Sequence, residues 1–114
     1  MSTRTILSAG DNDSANEYMS FFQGSTGGLA VSLKQGGAVQ FLVYEVIPSM
    51  VARTWNHVAV VQDGVQPRLY INGVAVTQSN STTTDLTMWY DALANCDKFA
   101  IGVLESNGTH TSDY

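Results

Sequence analysis

The chain has 114 residues, 44% of them apolar and 13% charged, and a formal net charge of −5 with only five basic side chains. That length allows one domain with a modest core, and the composition excludes a disordered chain. Without clusters of Lys and Arg there is no footprint for a nucleic-acid partner. No apolar run approaches the ~20 residues of a membrane-spanning helix, and the opening MSTRTILSAGD has no apolar stretch long enough for a signal peptide.

In chain order, Thr3–Ala9 is predicted as a first strand, ended by Gly10 and the polar loop GDNDSAN. Glu17–Gln23 is a second, followed by GSTGG. Leu29–Lys34 alternates, with Leu29, Val31 and Leu33 on one face. A QGG turn leads into Val39–Val46, where Val39, Phe41, Val43 and Glu45 oppose Gln40, Leu42, Tyr44 and Val46. Apolar residues on both faces predict a central strand covered on each side.

Pro48 ends pairing there. Trp55–Val76 then reads as a hairpin with a third short strand. In its first strand Trp55, His57, Ala59 and Val61 share one face, and Val58 and Val60 the other. In its second strand Leu69 and Ile71 oppose Arg68, Tyr70 and Asn72. Asp63-Gly64 and Asn72-Gly73 supply the turns, the latter folding VAVT back. Gln78–Thr87 is predicted as a polar loop, Met88–Asn95 as the place for a helical turn, and Phe99–Leu104 as a final strand. ESNGTHTSDY reads as a loop. Short strands between turn residues predict an all-β sandwich or barrel.

TWNHVAVVQDGVQPRLYINGVAV, with FAIGVLESNG further on, resembles the laminin-G-like branch of the concanavalin-A-like lectin/glucanase superfamily. The resemblance rests on Trp55, His57, Val58 and Ala59, then Leu69 to Gly73, then Ile101 and Gly102. It implies an antiparallel jelly-roll β-sandwich spanning residues 1–114 as a single domain. It also implies a copy truncated at both ends: the family's opening aromatic-rich strand and closing Gly-x-Ile-Asp-x-Val strand are not found, and the chain stops at Ser112-Asp113-Tyr114. On this pattern Trp55 is a large buried aromatic and His57 a structural residue of the hairpin.

Catalysis finds little support in the residue pattern. A general base needs a partner within hydrogen-bond reach, and a zinc site needs further ligands, but only His110 and Cys96 accompany His57. Glycoside hydrolysis needs two carboxylates at a defined separation, and Glu17, Glu45 and Glu105 are each isolated. Cys96, a lone cysteine, reads as a small buried apolar residue. GDNDSANE concentrates oxygen ligands suited to Ca²⁺. The resemblance adds a later acid, so Asp11, Asp13, Glu17 and Asp85 are the candidate calcium ligands, with Asp91 or Asp97 as substitutes for Asp85. Trp89 and Tyr90, in a polar region, are candidate stacking residues for a sugar, with a lid on the core as the alternative. Asn12-Asp13-Ser14, Asn80-Ser81-Thr82 and Asn107-Gly108-Thr109 have the form of glycosylation sequons.

The expected function is a non-catalytic recognition module that binds carbohydrate or a protein partner. A structural accessory sandwich of a larger surface or phage protein is the alternative, and a glucanase remnant a distant third. A surface rich in hydroxyls and amides suits an extracellular, cell-surface or virion location. Uncovered sheet edges predict a homo-oligomer, most simply a two-fold dimer.

Overall fold

The structure of the protein is a computed structural model that describes residues 2–111. Its strands are β1 (Arg4–Gly10), β2 (Tyr18–Gln23), β3 (Leu29–Gln35), β4 (Ala38–Glu45), β5 (Val58–Gln62), β6 (Pro67–Ile71), β7 (Val74–Ala75), β8 (Gln78–Thr83), β9 (Lys98–Ile101), β10 (Leu104–Ser106) and β11 (Thr109–Thr111). A 3-10 turn spans Tyr90–Ala92. No helix among the described residues is long and apolar enough to cross a membrane.

A six-stranded antiparallel sheet in the order β8-β4-β3-β2-β1-β9 faces a three-stranded sheet β5-β6-β7. Alternation decides which residues meet between them. Met19, Phe21, Val31, Leu33, Phe41 and Val43 point inward from the large sheet, against Leu69 and Ile71 from the small one. Val58 pairs with Ile71 and Val60 with Leu69, so the apolar side of the hairpin is the inner side, as the alternation predicts. Its β6–β7 turn holds Asn72 and Gly73 at φ 52° and 79°, the left-handed pair a two-residue hairpin loop needs.

Three expectations about the strands need correction. Gln78–Thr83 is a strand rather than a loop, pairing Val43 with Asn80 and Phe41 with Thr83 along the edge of the large sheet. An edge strand needs no apolar alternation. The Gln78 amide also reaches across, Oε1 accepting the Leu69 N–H at 3.0 Å and Nε2 donating to the Pro67 carbonyl at 2.8 Å.

Secondly, β4 lies inside the sheet, but its outer face is only partly covered: Gln40 is buried and Leu42 half-buried, whereas Tyr44, and Val46 just past the strand's end, are exposed. Thirdly, the segment after Val103 is a hairpin, β10–β11, turning at Asn107-Gly108. It packs on β1 and β2. Ser8 and Ser20, small residues paired on the outer face, are buried, and Ser8 Oγ donates to the Val103 carbonyl at 2.9 Å. The expected break at Ser112–Tyr114 lies outside the described residues.

Candidate functional site

The small sheet does not cover the whole inner face of the large one. Directly paired residues share a face, so Val43, Val31, Phe21, Leu7 and Ile101 form one inward row across β4, β3, β2, β1 and β9. Val43 is fully buried, Leu7 half-buried, and Ile101 86% exposed. The neighbouring row runs from Phe41 through Leu33, Met19 and Ala9 to Phe99, which is 59% exposed. Burial fails at the β9 end because β5 to β7 sit over the other end of the sheet. The uncovered strip opens into a groove of about 400 Å³ whose walls include Ile6, Met50, Trp55, Asn56, Val58 and Ile101.

Trp55 stands at the mouth of this groove and is 100% exposed. This corrects the expectation of a buried aromatic. β5 begins only at Val58, so Trp55 lies in the preceding loop, where strand parity no longer directs its side chain inward. The loop is internally braced. Asn56 Nδ2 donates to the carbonyls of Val51 (2.9 Å) and Thr54 (3.1 Å), and its Oδ1 accepts the Val51 N–H at 3.3 Å. Thr54 Oγ1 donates to the same Val51 carbonyl at 2.9 Å. Arg53 takes φ 60° within the turn so formed, an uncommon conformation for a side chain of its size.

Sequence reasoning missed this site. The signal available was local: the amide- and hydroxyl-bearing Thr54 and Asn56 flank Trp55 and favour a hydrogen-bonded turn over a strand. Chemically, the site offers an exposed indole on a braced loop and an aliphatic wall next to open solvent. That combination suits a ligand with one apolar face and polar edges.

The two aromatics singled out from sequence have different environments. Trp89 is half-buried against the core, whereas Tyr90 is 40% exposed. Their rings lie 6.2 Å apart, and Tyr90 meets Phe99 of β9 edge-on at 5.5 Å. The segment is tied down at several points: Gln62 Nε2 donates to the carbonyls of Leu86 and Met88, and Gln35 Nε2 to that of Ala92.

The candidate calcium ligands do not converge on a cation. Glu17 is buried and turned onto backbone, Oε1 accepting the Gly36 N–H at 2.6 Å and Oε2 the Ala94 N–H at 3.0 Å. Asp11 Oδ1 accepts the Asp13 N–H at 2.8 Å, and Asp13 Oδ1 accepts from the Asn12 amide at 3.2 Å. Asp85 accepts from both the hydroxyl and the N–H of Thr87, which hold its carboxyl below the ordinary value. Asp97 Oδ1 takes the Asn12 N–H at 2.9 Å. No three acid, His or Cys side chains among the described residues gather into a metal-holding group. They cap turns instead.

His57 is exposed, and its backbone makes the hairpin contacts, its N–H donating to Asn72 Oδ1 at 2.8 Å. Cys96 is half-buried against the core; burial, then the nearby Asp97 and Asp11 carboxylates, push its thiol up. Glu45 is buried at the end of β4, where it accepts the Leu29 N–H at 3.0 Å and the Ser49 hydroxyl at 2.5 Å. Of the sequon asparagines, Asn80 spends its amide on Gln66 Oε1 at 3.0 Å, while Asn107 is exposed at the tip of its hairpin.

Comparison with known proteins bears on this architecture. Three solved structures of the Ruminococcus gnavus IT-sialidase CBM40 are similar to it. The form bound to α2,3-sialyllactose superposes with a TM-score of 0.79 at 18% identity, covering 98% of this chain and 61% of that one. The form bound to α2,6-sialyllactose gives 0.64 at 12% identity, covering 98% and 62%. A third CBM40 structure gives 0.64 at 13%, covering 98% and 61%. This chain therefore spans about three fifths of the length of those chains. No curated protein matches it. A laminin-G-type family profile matches residues 1–112, and the chain thus belongs to the concanavalin A-like lectin/glucanases superfamily.

Proposed function

We propose that this domain is a non-catalytic glycan-recognition module whose contact surface is the Trp55 groove. The observation that carries the reading is a fully exposed indole held on a hydrogen-bonded loop beside an open apolar groove. Exposed apolar patches mark interaction sites. A groove of about 400 Å³ matches a small ligand better than a protein surface. A pyranose stacks its C–H face on an indole and leaves its hydroxyls in water. Two of the similar structures carry sialyllactose, which supports a sugar as the ligand class without naming this chain's own. A module of this kind works where glycans are displayed, outside the cell or on a virion.

A glycan array that includes α2,3- and α2,6-sialyllactose, followed by calorimetry on any hit, tests the proposal. Selective binding that disappears in Trp55→Ala is expected. An array without selective hits favours the accessory structural sandwich.

Among the described residues β5 and β9 are edge strands of their sheets, which favours a second reading, in which another copy of the chain covers the same strip. Light scattering coupled to size exclusion at micromolar concentration separates the two. A dimer that dissociates in Trp55→Ala assigns the groove to self-association, and a monomer leaves it to the glycan.

A further inference from the structure

We infer that the cleft between the Glu45–Ser49 segment and the β6–β7 hairpin is a recognition site for the lysine side chain of a partner polypeptide. It lies where β4 leaves the large sheet and β7 leads into β8, at the sheet edge opposite β9. It shares no lining residue with the Trp55 groove, so the inference stands apart from the glycan reading. Its walls are two short stretches of chain, residues 45–49 and 71–77, joined where the Val46 N–H donates to the Thr77 carbonyl at 2.9 Å. The space between them is about 330 Å³.

One charge sits in this cleft. Glu45 has the parity of Phe41 and Val43, so alternation along β4 aims its carboxylate inward, and the residue is only 4% exposed. Oε2 accepts the Leu29 N–H at 3.0 Å, and Oε1 accepts the Ser49 hydroxyl at 2.5 Å. A carboxylate has about four lone-pair sites, so each oxygen keeps an acceptor position. The other lining side chains among the described residues carry no charge: Ile47, Ile71, Val74 and Val76 are aliphatic, and Ser49 and Thr77 bear hydroxyls. Ser49 gives its one hydroxyl hydrogen to Glu45 and is left as an acceptor too. A buried carboxylate among acceptors and aliphatic walls calls for a ligand that brings donors and a positive charge.

An ammonium on a methylene stem has those properties: three N–H donors, no acceptor, and an apolar arm for the walls. A guanidinium matches less well. Its planar fork takes both oxygens of a carboxylate side by side, and here each oxygen already holds a hydrogen bond. The cleft is also roomier than one such arm, and Ile47 and Val74 stand exposed at its mouth, at 72% and 68%. Residues flanking the lysine therefore have an apolar rim to rest on, which selects a polypeptide over a free amine.

The test is an amide NMR titration of the isotope-labelled intact chain with acetyl-Ala-Leu-Lys-Leu-Ala-amide. Matched peptides carry norleucine, Nε-acetyl-lysine or arginine in place of the lysine, and pentylamine serves as the free amine. The lysine peptide should shift the Ile47, Val74 and Thr77 amides to saturation, with a Kd on the order of millimolar or below. The arginine peptide should bind about tenfold more weakly, and the norleucine and acetyl-lysine peptides should not saturate. Glu45→Gln should abolish the response. Because Glu45 also braces the fold, Val74→Arg is measured beside it: this exposed position should keep the parent melting temperature, and its tethered cation should block the cleft. Trp55→Ala should leave the response unchanged. Equal binding of the norleucine peptide overturns the charge recognition, and pentylamine matching the lysine peptide overturns the polypeptide source. No saturating shift, or one that survives Val74→Arg, overturns the site.

Discussion

Asn72 and His57 exchange two hydrogen bonds: the Asn72 N–H donates to the His57 carbonyl at 2.7 Å, and Asn72 Oδ1 accepts the His57 N–H at 2.8 Å. The pair locks the start of β5 to the β6–β7 turn. Asn72 Nδ2 also reaches Asn56 Oδ1 at 3.4 Å, so the clasp extends into the loop that carries Trp55. This explains the Trp-x-His and Ile-Asn-Gly elements of the sequence together. The histidine contributes its backbone, and the asparagine supplies both a left-handed φ and a side-chain acceptor. Asn72→Gly keeps the first property and removes the second. It should cost about 1–2 kcal/mol in urea unfolding and weaken glycan binding through a looser Trp55. Unchanged stability would show that the side-chain bond is dispensable.

Trp55→Ala should leave the fold intact. A fully exposed side chain contributes within about 0.5 kcal/mol, so the melting curve should overlay that of the parent. Fluorescence reports the same point. Acrylamide should quench the Trp55 emission strongly and that of half-buried Trp89 weakly. A large loss of stability would put the indole inside the core.

Glu17 ties the β3–β4 turn to the segment before β9 through Gly36 and Ala94. Glu17→Ala leaves two part-buried N–H groups without their charged acceptor and should cost about 2–4 kcal/mol. Amide exchange should accelerate at Gly36 and Ala94 first. Because both carboxylate oxygens are committed, millimolar Ca²⁺ is expected to leave the melting temperature unchanged. A rise lost in Asp11→Ala/Asp13→Ala would restore a cation to this rim.

Asp63 contributes to the acid limb of stability. The Gln66 N–H, then the Arg68 guanidinium at 2.6 Å and the Val65 N–H, lower its carboxyl from 3.8 to about 2. A folded-state value below the unfolded one stabilises the fold above the unfolded value, and the contribution is lost as pH falls through the folded one. The gap in melting temperature between the parent and Asp63→Asn should therefore be constant near neutrality and shrink between pH 3.8 and about 2. A gap independent of pH would remove the carboxylate's charge from the account.

Phe41 lies fully buried where the two sheets meet. Phe41→Ala should cost about 3–5 kcal/mol, measured by chemical denaturation. A smaller loss would mean the small sheet closes over the space.

The sequence alone determined the local features: the period-two alternation of β3, the inner and outer faces of β5 and β6, the Asn-Gly turn, and the all-β sandwich or barrel they imply. These follow from side chains alternating along one strand and from turn residues that tolerate a left-handed backbone. Tertiary structure decided the rest. Gln78–Thr83 becomes a strand because β4 offers it an edge, and Glu17 becomes a bracket because Gly36 and Ala94 are brought to it. Trp55 and Ile101 become a surface because, among the described residues, no strand of the small sheet reaches over β9. Coverage of a sheet face is a non-local property: it depends on which strands lie opposite, and alternation along a single strand carries no record of that.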